Sequence, residues 1–250
     1  MLVCLFVLIS VGGLLLVQRL VPIEVRQRQN DVAGFIYAVL GVAYAVLLGL
    51  MVIAVWEQWD AAKATVDDEA SELAEIYWIA HQLPQPEGRH IQELAHSYAE
   101  VVVDEEWPLM AQGEFSPKAW ATIDEIRDSI QSLDSSTDDQ LLLDQQALER
   151  IHGLADARRD RLLAAEEGLP AIMWVVLVGG GFIVVGFTYL FGMENNITHI
   201  LMVAALALII SSVLFTVASL NYPFRGDVHI GPDAFEQILW RFKTSELSDL

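Results

Sequence analysis

Cysteine and the common enzyme motifs are almost absent from this sequence. Cys4 is the single cysteine, so the chain cannot form an intrachain disulfide. The sequence also lacks a nucleophile elbow, a phosphate-binding loop, a dinucleotide fingerprint and a zinc-spaced set of Cys and His, which are motifs of several large enzyme classes. We therefore predict a protein that is not an enzyme and that uses neither a cofactor nor a metal ion.

Basic residues are scarce as well. The 250 residues include 14 Lys or Arg and 34 Asp or Glu, which gives a formal net charge of -20. Most of the acid lies in one block, since residues 57–170 hold 26 acidic and 8 basic side chains. Such a block repels nucleic acid and anionic lipid headgroups and concentrates cations. We therefore expect inorganic ions as partners, and no nucleic acid.

Four long apolar runs have no ionisable residue at mid-membrane depth, and each can cross a hydrocarbon core of ~30 Å as a helix. The first run has neither the basic start nor the cleavage site of a signal peptide, so we interpret it as a membrane span. Uncharged spans disfavour a proton relay or an ion-coupled pump. The predicted spans, with membrane lipid as their partner, are Met1–Val17, Val32–Trp56, Ala171–Gly192 and Ile197–Leu220.

The second span is predicted to continue into water as one helix. Its 25 residues would rise roughly 37 Å, and no helix breaker follows Trp56 until Pro84. Residues 57–83 keep apolar side chains at helical spacing, with acidic side chains on the other side. We therefore expect the helix to leave the bilayer at Trp56 and to end near Leu83.

Three more amphipathic helices are predicted before Pro170, and four such helices with short connections form a bundle. The tail is predicted to end in a short helix that lies on the bilayer or, as we favour, packs on the bundle through Phe235, Ile238, Leu239 and Phe242. The three bundle helices are Glu87–Ala111, a helix opened by Ser116 and Pro117, and about Asp138–Gly168, capped by Thr137 after the loop Asp134–Asp139. The last of them is predicted to turn inward Leu141, Leu148, Ile151, Ala155 and Leu162.

The fold class is therefore an all-α membrane protein, with four transmembrane helices and a helical bundle inserted between the second and the third. The predicted divisions are the first two spans (1–56), the acidic bundle (57–170), the hairpin of the last two spans (171–220) and the tail (221–250). Basic residues near the membrane favour both termini and the bundle in the cytoplasm. The first loop has Arg19, Arg26 and Arg28, against Lys63, Arg158, Arg159, Arg161 and Arg225.

Small residues recur along the second span and allow close helix packing, either within one subunit or between subunits around an axis. In the second case a neighbouring stripe would line a pore with an apolar, aromatic constriction and a polar mouth. Glycines 179–181 of the third span favour close approach to a neighbouring helix over a broken-helix ion site. The small residues are Gly34, Ala38, Gly41, Ala45 and Gly49, and the predicted pore lining is Asn30, Gly34, Tyr37, Gly41, Tyr44 and Leu48.

Acidic side chains also cluster just beyond the membrane exit. They form either a solvated helix face or a vestibule that attracts cations, with a divalent-cation site between subunits as a further alternative. Two Glu-x-x-His motifs, at Glu93–His96 and Glu149–His152, resemble di-iron ligands, but they point away from the apolar stripes of their helices, so we predict no metal site. The vestibule residues are Asp67, Asp68, Glu69, Glu72 and Glu75, with a second group at Asp104–Glu106.

Three stretches of the sequence resemble a bacterial family described as bestrophin-like. They are Asn30–Gly34, Glu69–Leu73, and Asn221–Gly226 followed by Gly231 and Pro232. The resemblance implies a distant relation to bestrophins, which are pentameric anion channels with four spans per subunit and a pore lined by the second span. It implies a multi-pass protein of the inner membrane that assembles with itself, as a pentamer. The acidic bundle favours cations over anions as the permeant species.

Two hypotheses follow from these observations. The first is a homo-oligomeric ion channel with second spans around the axis and the acidic bundle as a vestibule. The second is a non-conducting, membrane-anchored interaction or sensor module that binds a partner through the bundle. A ring of subunits with Tyr37 and Tyr44 facing a central hole would support the channel, and a monomer or dimer with a solid membrane core would support the module.

Overall fold

The protein is described by a computed structural model that covers residues 2–134 and 137–248; Ser135 and Ser136, in the predicted loop Asp134–Asp139, lie outside these residues. Within these two ranges the regular structure is helical, with no strand, which confirms the all-α fold class. A π-helical segment, Val102–Glu106, separates α4 from α5. The α-helices are α1 (Leu2–Leu20), α2 (Ile23–Gln27), α3 (Asn30–Gln82), α4 (Glu87–Val101), α5 (Trp107–Met110), α6 (Pro117–Gln131), α7 (Asp138–Glu166), α8 (Ala171–Thr188), α9 (Asn196–Leu220) and α10 (Asp233–Ser248).

Four of these helices are long and apolar enough to cross a membrane, namely α1, α3, α8 and α9. The helix α3 runs without interruption through 53 residues and ends one residue before the predicted Leu83. The prediction of one continuous helix past Trp56 is therefore confirmed. The helix α8 ends at Thr188, four residues before the predicted Gly192.

The chain divides into two compact units. The membrane unit comprises residues 1–57 and 168–221, and the bundle unit comprises residues 58–167 and 222–250. In the membrane unit α1 and α8 pack against α9, around a core that includes Leu14, Tyr44, Leu177, Val203 and Ala207. Its lipid-facing side chains are exposed and apolar, as a bilayer requires.

The bundle unit has a larger apolar core, to which the C-terminal half of α3, α4, α6, α7 and α10 contribute. Phe235 and Phe242 of α10 are fully buried, and Phe242 stacks on Tyr77 with ring centroids 3.9 Å apart. The prediction that the tail helix packs on the bundle is therefore confirmed. Leu141 was expected inside, but it is 49% exposed, because it lies in the first turn of α7, before the packed part of that helix.

The predicted helix caps are confirmed. The Ser116 Oγ accepts a hydrogen bond from the backbone N–H of Lys118 at 3.3 Å, and Pro117 occupies the first turn of α6. The Thr137 Oγ1 accepts one from the N–H of Gln140 at 3.3 Å. Side-chain caps of this kind satisfy backbone donors that the first turn leaves unpaired.

Two predicted segments differ from the structure. The stretch Glu87–Ala111 was expected to be one helix, but its α-helix ends at Val101 and continues as the π-helical segment. The wider turn rotates the residues that follow it, and Glu106 and Trp107 both face the core. Arg26 was assigned to the first loop, but it lies on the short helix α2 and is 6% exposed.

Candidate functional site

The second span turns its predicted aromatic stripe into the membrane unit. Tyr44 is 7% exposed, and its Oη donates a hydrogen bond to the carbonyl oxygen of Leu177 at 2.7 Å. A Cβ added to Gly180 would lie 2.6 Å from the Tyr44 ring. Leu48, one turn further along α3, is also buried. Both side chains therefore pack inside a single chain.

The three adjacent glycines of α8 are explained by this contact. Gly180 and Gly181 both face Tyr44, and a Cβ on Gly181 would lie 3.0 Å from the Tyr44 Oη. A Cβ on Gly179 would meet no heavy atom of the described chain within 4 Å. The prediction that these glycines serve close approach to a neighbouring helix is therefore confirmed at two of the three positions.

The beginning of α3 is fixed to the connection that follows α8. The Asn30 Nδ2 donates to the Gly192 carbonyl oxygen and the Gly192 N–H donates to the Asn30 Oδ1, each at 3.0 Å. Two turns further, the Tyr37 ring stacks on Phe187 at a centroid distance of 6.1 Å and meets Phe191 edge-on at 5.7 Å. Within one chain, these two members of the predicted pore lining thus stabilise the packing of α3 on α8.

The small residues of α3 lie on a different side of the helix. Gly34 and Gly41 are half-buried at the margin of the packed face. Ala38, Ala45 and Gly49 are exposed. No heavy atom of the described residues lies within 4 Å of a Cβ built on Gly41 or Gly49. We call Ala38, Gly41, Ala45 and Gly49 the small-residue face; it is open to another helix.

The predicted acidic vestibule separates into exposed and buried members. Asp67, Asp68 and Glu75 are exposed. Glu72 is half-buried and forms an ion pair with Arg150 at 3.2 Å. Glu69 has no exposed surface, so it cannot contribute to a solvated acidic patch. The reason is its position on the inward stripe of α3, between Val66 and Leu73, which are themselves buried.

Glu69 belongs to a cluster of charges inside the bundle unit. Arg161 donates to Glu69 from Nε at 2.5 Å and from Nη2 at 2.9 Å, and to the Glu106 Oε2 at 2.8 Å. Arg158 forms a two-pronged pair with Glu106, with its Nη2 2.6 Å from Oε1. The Tyr98 Oη donates to Glu69 at 2.6 Å. We call these five residues the buried charge cluster; its two cations balance its two anions.

Burial and ion pairing act in opposite directions on the pKa values of Glu106 and Arg161 in this cluster. Burial raises the pKa of Glu106, but hydrogen bonds and positive charge from Arg158 and Arg161 outweigh it, so the net pKa is lowered. Burial and the Glu69 carboxylate hold the pKa of Tyr98 well above its ordinary value. Burial lowers the pKa of Arg161, but the Glu69 partner outweighs burial and raises it. Near pH 7 these shifts keep Glu106 and Arg161 charged and the Tyr98 phenol neutral.

The spacing of residues along α7 indicates that the two arginines of the buried charge cluster face inward, but the many charged residues of this region obscured that pattern. Arg158 follows the buried Ile151 by seven residues, and Arg161 follows the buried Leu154 by seven. Residues seven apart lie on the same face of a helix, so both arginines share the inward face of α7. The abundance of charge in this region made them look like ordinary surface residues.

The two Glu-x-x-His motifs do not come together as a metal site in the structure. Glu93, Glu149 and His152 are exposed, and His96 is half-buried. Among the residues that the structure describes, no group of three or more His, Cys, Asp or Glu side chains is placed to hold a metal ion.

Four apolar spans with an inserted helical bundle define this chain as an all-helical integral membrane protein. Its sequence matches the Bestrophin-like domain over residues 4–235. The chain belongs to the Bestrophin-like family. No curated protein matches it. The family is one of channels and not of enzymes, so membership supports a membrane channel as the general class of this protein.

The fold is similar to that of a bacterial bestrophin homologue from Klebsiella pneumoniae. One crystal structure of that homologue has 13% identity, covers 96% of each chain and superposes with a TM-score of 0.70. A point variant of the same homologue has 13% sequence identity; the match covers 96% of this chain and 97% of that chain, with a TM-score of 0.72. A second variant has 14% sequence identity; the match covers 97% of each chain, with a TM-score of 0.69. At this identity the likeness shows a shared fold.

Proposed function

We propose that this protein is a homo-oligomeric ion channel of the bacterial inner membrane, in which copies of α3 surround a central pore. The observation that carries the proposal is the small-residue face of α3. Ala38, Ala45 and Gly49 of this face are exposed in a single chain, and Gly41 is half-buried. Because small residues let helices approach one another closely, an uncovered row of them allows copies of α3 to converge around one axis with this row turned towards the axis. The family and the fold support the same class of protein.

The pore lining belongs, in this proposal, to the exposed side of α3. Tyr44 and Leu48 are buried within one chain, and Asn30 and Tyr37 are engaged with the end of α8. Gly34 and Gly41 lie at the margin of that packed side, so they stay in the proposed lining. The exposed Ala38, Ala45 and Gly49 extend it along the helix.

Cations are the proposed permeant ions. Asp67, Asp68 and Glu75 remain exposed in the bundle unit, and the whole chain has a formal net charge of -20. An assembly of several such chains multiplies this field, which raises the local concentration of cations and lowers that of anions. The resemblance to bestrophins favours five copies, and the distribution of Lys and Arg favours a cytoplasmic bundle.

One observation favours the alternative of a non-conducting interaction module. Leu141, Leu142 and Leu163 of α7 are each about half exposed in the bundle unit. Exposed apolar side chains of this size in a water-facing domain can bind a partner protein. This alternative needs no pore, so a flux measurement separates it from the channel.

The test is reconstitution of the purified chain in liposomes, with K⁺ and Cl⁻ flux measured separately. The channel hypothesis expects flux from the wild type, with K⁺ exceeding Cl⁻. Absence of both fluxes in an oligomeric, correctly folded preparation would overturn the channel and leave the interaction module.

A matched pair of cysteine variants locates the lining. In a Cys4→Ser background, Ala45→Cys lies on the small-residue face and Ala43→Cys lies about 200° around the same helix. Both alanines are exposed in one chain. A charged thiol reagent should block flux through Ala45→Cys and leave Ala43→Cys unaffected. Equal block at both positions, or block only at Ala43→Cys, would reject the proposed orientation of α3.

A further inference from the structure

Arg26 is a buried cation with no acidic partner. It is 6% exposed in the membrane unit, and its Nη1 donates to the carbonyl oxygen of Phe191 at 3.2 Å. Its Nε has no hydrogen-bond partner, and no carboxylate forms an ion pair with it, among the residues that the structure describes. Buried charges in proteins are ordinarily paired. Arg26 therefore has the capacity to bind an anion.

An apolar cavity of about 410 Å³ lies in the same unit, and Arg26 itself is not among the residues that line it. Phe191, whose carbonyl oxygen accepts the Arg26 hydrogen bond, also lines this cavity. On α9 the lining extends from His199 to Leu206, eight residues that rise ~10 Å along the helix. The volume is within the range of ligand pockets, about 300–1,000 Å³. The remaining lining residues are Asn30, Tyr37, Thr188, Met193, Met202 and Val203.

Two other polar side chains of the cavity lining, His199 and Asn30, already have partners. His199 has its Nε2 3.1 Å from the Thr188 carbonyl oxygen, and its Nδ1 faces the Gln18 side chain at 3.5 Å. Asn30 is paired with Gly192. Arg26, a cation with unused hydrogen-bonding capacity, is thus connected to an apolar cavity through its contact with Phe191. That combination suits an amphiphile with an acidic headgroup.

We propose that Arg26 and this cavity form a binding site for an anionic phospholipid. The phosphate would accept hydrogen bonds from the Arg26 guanidinium, whose planar set of donors matches phosphate oxygens. One acyl chain would occupy the apolar cavity. The site lies in the membrane unit and not in the acidic bundle unit, which repels anionic headgroups. The proposal concerns lipid binding alone and does not depend on ion conduction.

Native mass spectrometry of the full chain in detergent tests the headgroup. Phosphatidylglycerol should bind at least about tenfold more tightly than phosphatidylcholine with the same acyl chains. Arg26→Gln should abolish this preference. The matched control is Arg28→Gln, because Arg28 is exposed in the same loop and its loss should change affinity less than about twofold. Equal binding of the two lipids by wild type, or equal losses in the two variants, would overturn the proposal.

A second variant tests the cavity without touching the arginine. Leu206→Phe narrows the cavity and should weaken phosphatidylglycerol binding while Arg26 is intact, so a folding defect of Arg26→Gln cannot decide the result. Inorganic phosphate should not displace the lipid at equal concentration; if it does, the site binds a free anion and the lipid proposal fails. In a Cys4→Ser background, intersubunit cross-linking of Met202→Cys at saturating phosphatidylglycerol would place a second copy in the cavity, and the lipid proposal would fail in that case too.

Discussion

The two units of this protein bury charge in opposite ways. In the bundle unit, Arg158 and Arg161 are fully buried, and each has a glutamate within hydrogen-bonding distance. In the membrane unit, Arg26 is almost as deeply buried, but its hydrogen bond goes to a backbone carbonyl oxygen. The buried cations of the cluster therefore have carboxylate partners within the chain, whereas Arg26 has none among the residues that the structure describes.

This difference separates a structural use of charge from a binding use. In the balanced cluster of two cations and two anions, each cation is paired with a carboxylate, although the Arg158 Nε has no hydrogen-bond partner among the described residues. Its members position α3, the π-helical segment and α7 against one another. An unpaired buried cation is costly unless an anion joins it. The first case predicts large losses of stability on mutation, and the second predicts losses of binding.

The largest effect is expected from Glu106→Gln. This change leaves Arg158 and Arg161 buried with one carboxylate fewer, and breaking a buried pair by removing one partner costs about 3–5 kcal/mol. The free energy of unfolding of the full chain in detergent, followed by tryptophan fluorescence under denaturant, measures the loss.

The neighbouring residue provides the control for this variant. Glu105 pairs with Lys118 at 2.6 Å, but its side chain is 40% exposed. Exposed pairs of this kind contribute about 0–1 kcal/mol, so Glu105→Gln should change stability little. Similar losses for Glu105→Gln and Glu106→Gln would show that burial does not distinguish the two glutamates.

A smaller loss is expected from Tyr98→Phe. The change removes the hydroxyl that donates to Glu69 at 2.6 Å and keeps the aromatic ring, which is fully buried. Hydrogen bonds to charged groups contribute about 1.5–3 kcal/mol. Tyr222→Phe is the control, because Tyr222 is 40% exposed. The loss of its hydroxyl should change the free energy of unfolding by no more than about 0.5 kcal/mol. A Tyr98→Phe variant as stable as wild type would mean that Glu69 is satisfied by Arg161 alone.

Much of the fold could be predicted from the sequence because its signals are long. A 25-residue uncharged run followed by helical spacing without proline specifies one helix, and α3 has that form. Caps at Ser116 and Thr137 were local enough to be recognised from residue type and spacing. These features depend on neighbours in the chain, which the sequence displays directly.

The candidate site could be predicted only in part, since its contacts join distant segments. Tyr44 was predicted to line a pore, and within one chain it donates to the carbonyl oxygen of Leu177, 133 residues away. The sequence does not reveal which face of α3 meets α8. Glu69 was assigned to the acidic patch by composition, although its spacing from Val66 and Leu73 placed it inside. Where composition and periodicity disagreed, periodicity was the better guide.

Gly180→Ala tests the close contact between α3 and α8 in the membrane unit. The added Cβ would lie 2.6 Å from the Tyr44 ring, which the hydrogen bond to Leu177 holds in place. Overpacking of this kind costs about 1–3 kcal/mol. The control is Gly179→Ala, whose Cβ meets no atom of the described residues within 4 Å; it should gain up to about 1 kcal/mol from helix propensity. Thermal unfolding in detergent compares the two, and an equal response would show that α3 and α8 are not in close contact at Tyr44.

The smallest effect is expected in the pH dependence of the buried charge cluster. Because the pKa of Glu106 is lowered in the folded chain from its ordinary value of 4.5, the unfolded chain binds a proton first as the pH falls. The stabilisation from Glu106 is therefore fully present above that value and is lost as the pH falls through the folded pKa, by at most about 1.4 kcal/mol per pH unit. Unfolding free energies of wild type and Glu106→Gln, measured from pH 7 to pH 3, isolate this contribution, because the other carboxylates are common to both. The gap between the two curves should stay constant down to about pH 4.5 and then narrow. A gap that is unchanged at pH 3 would mean that Glu106 does not stabilise the cluster through its charge.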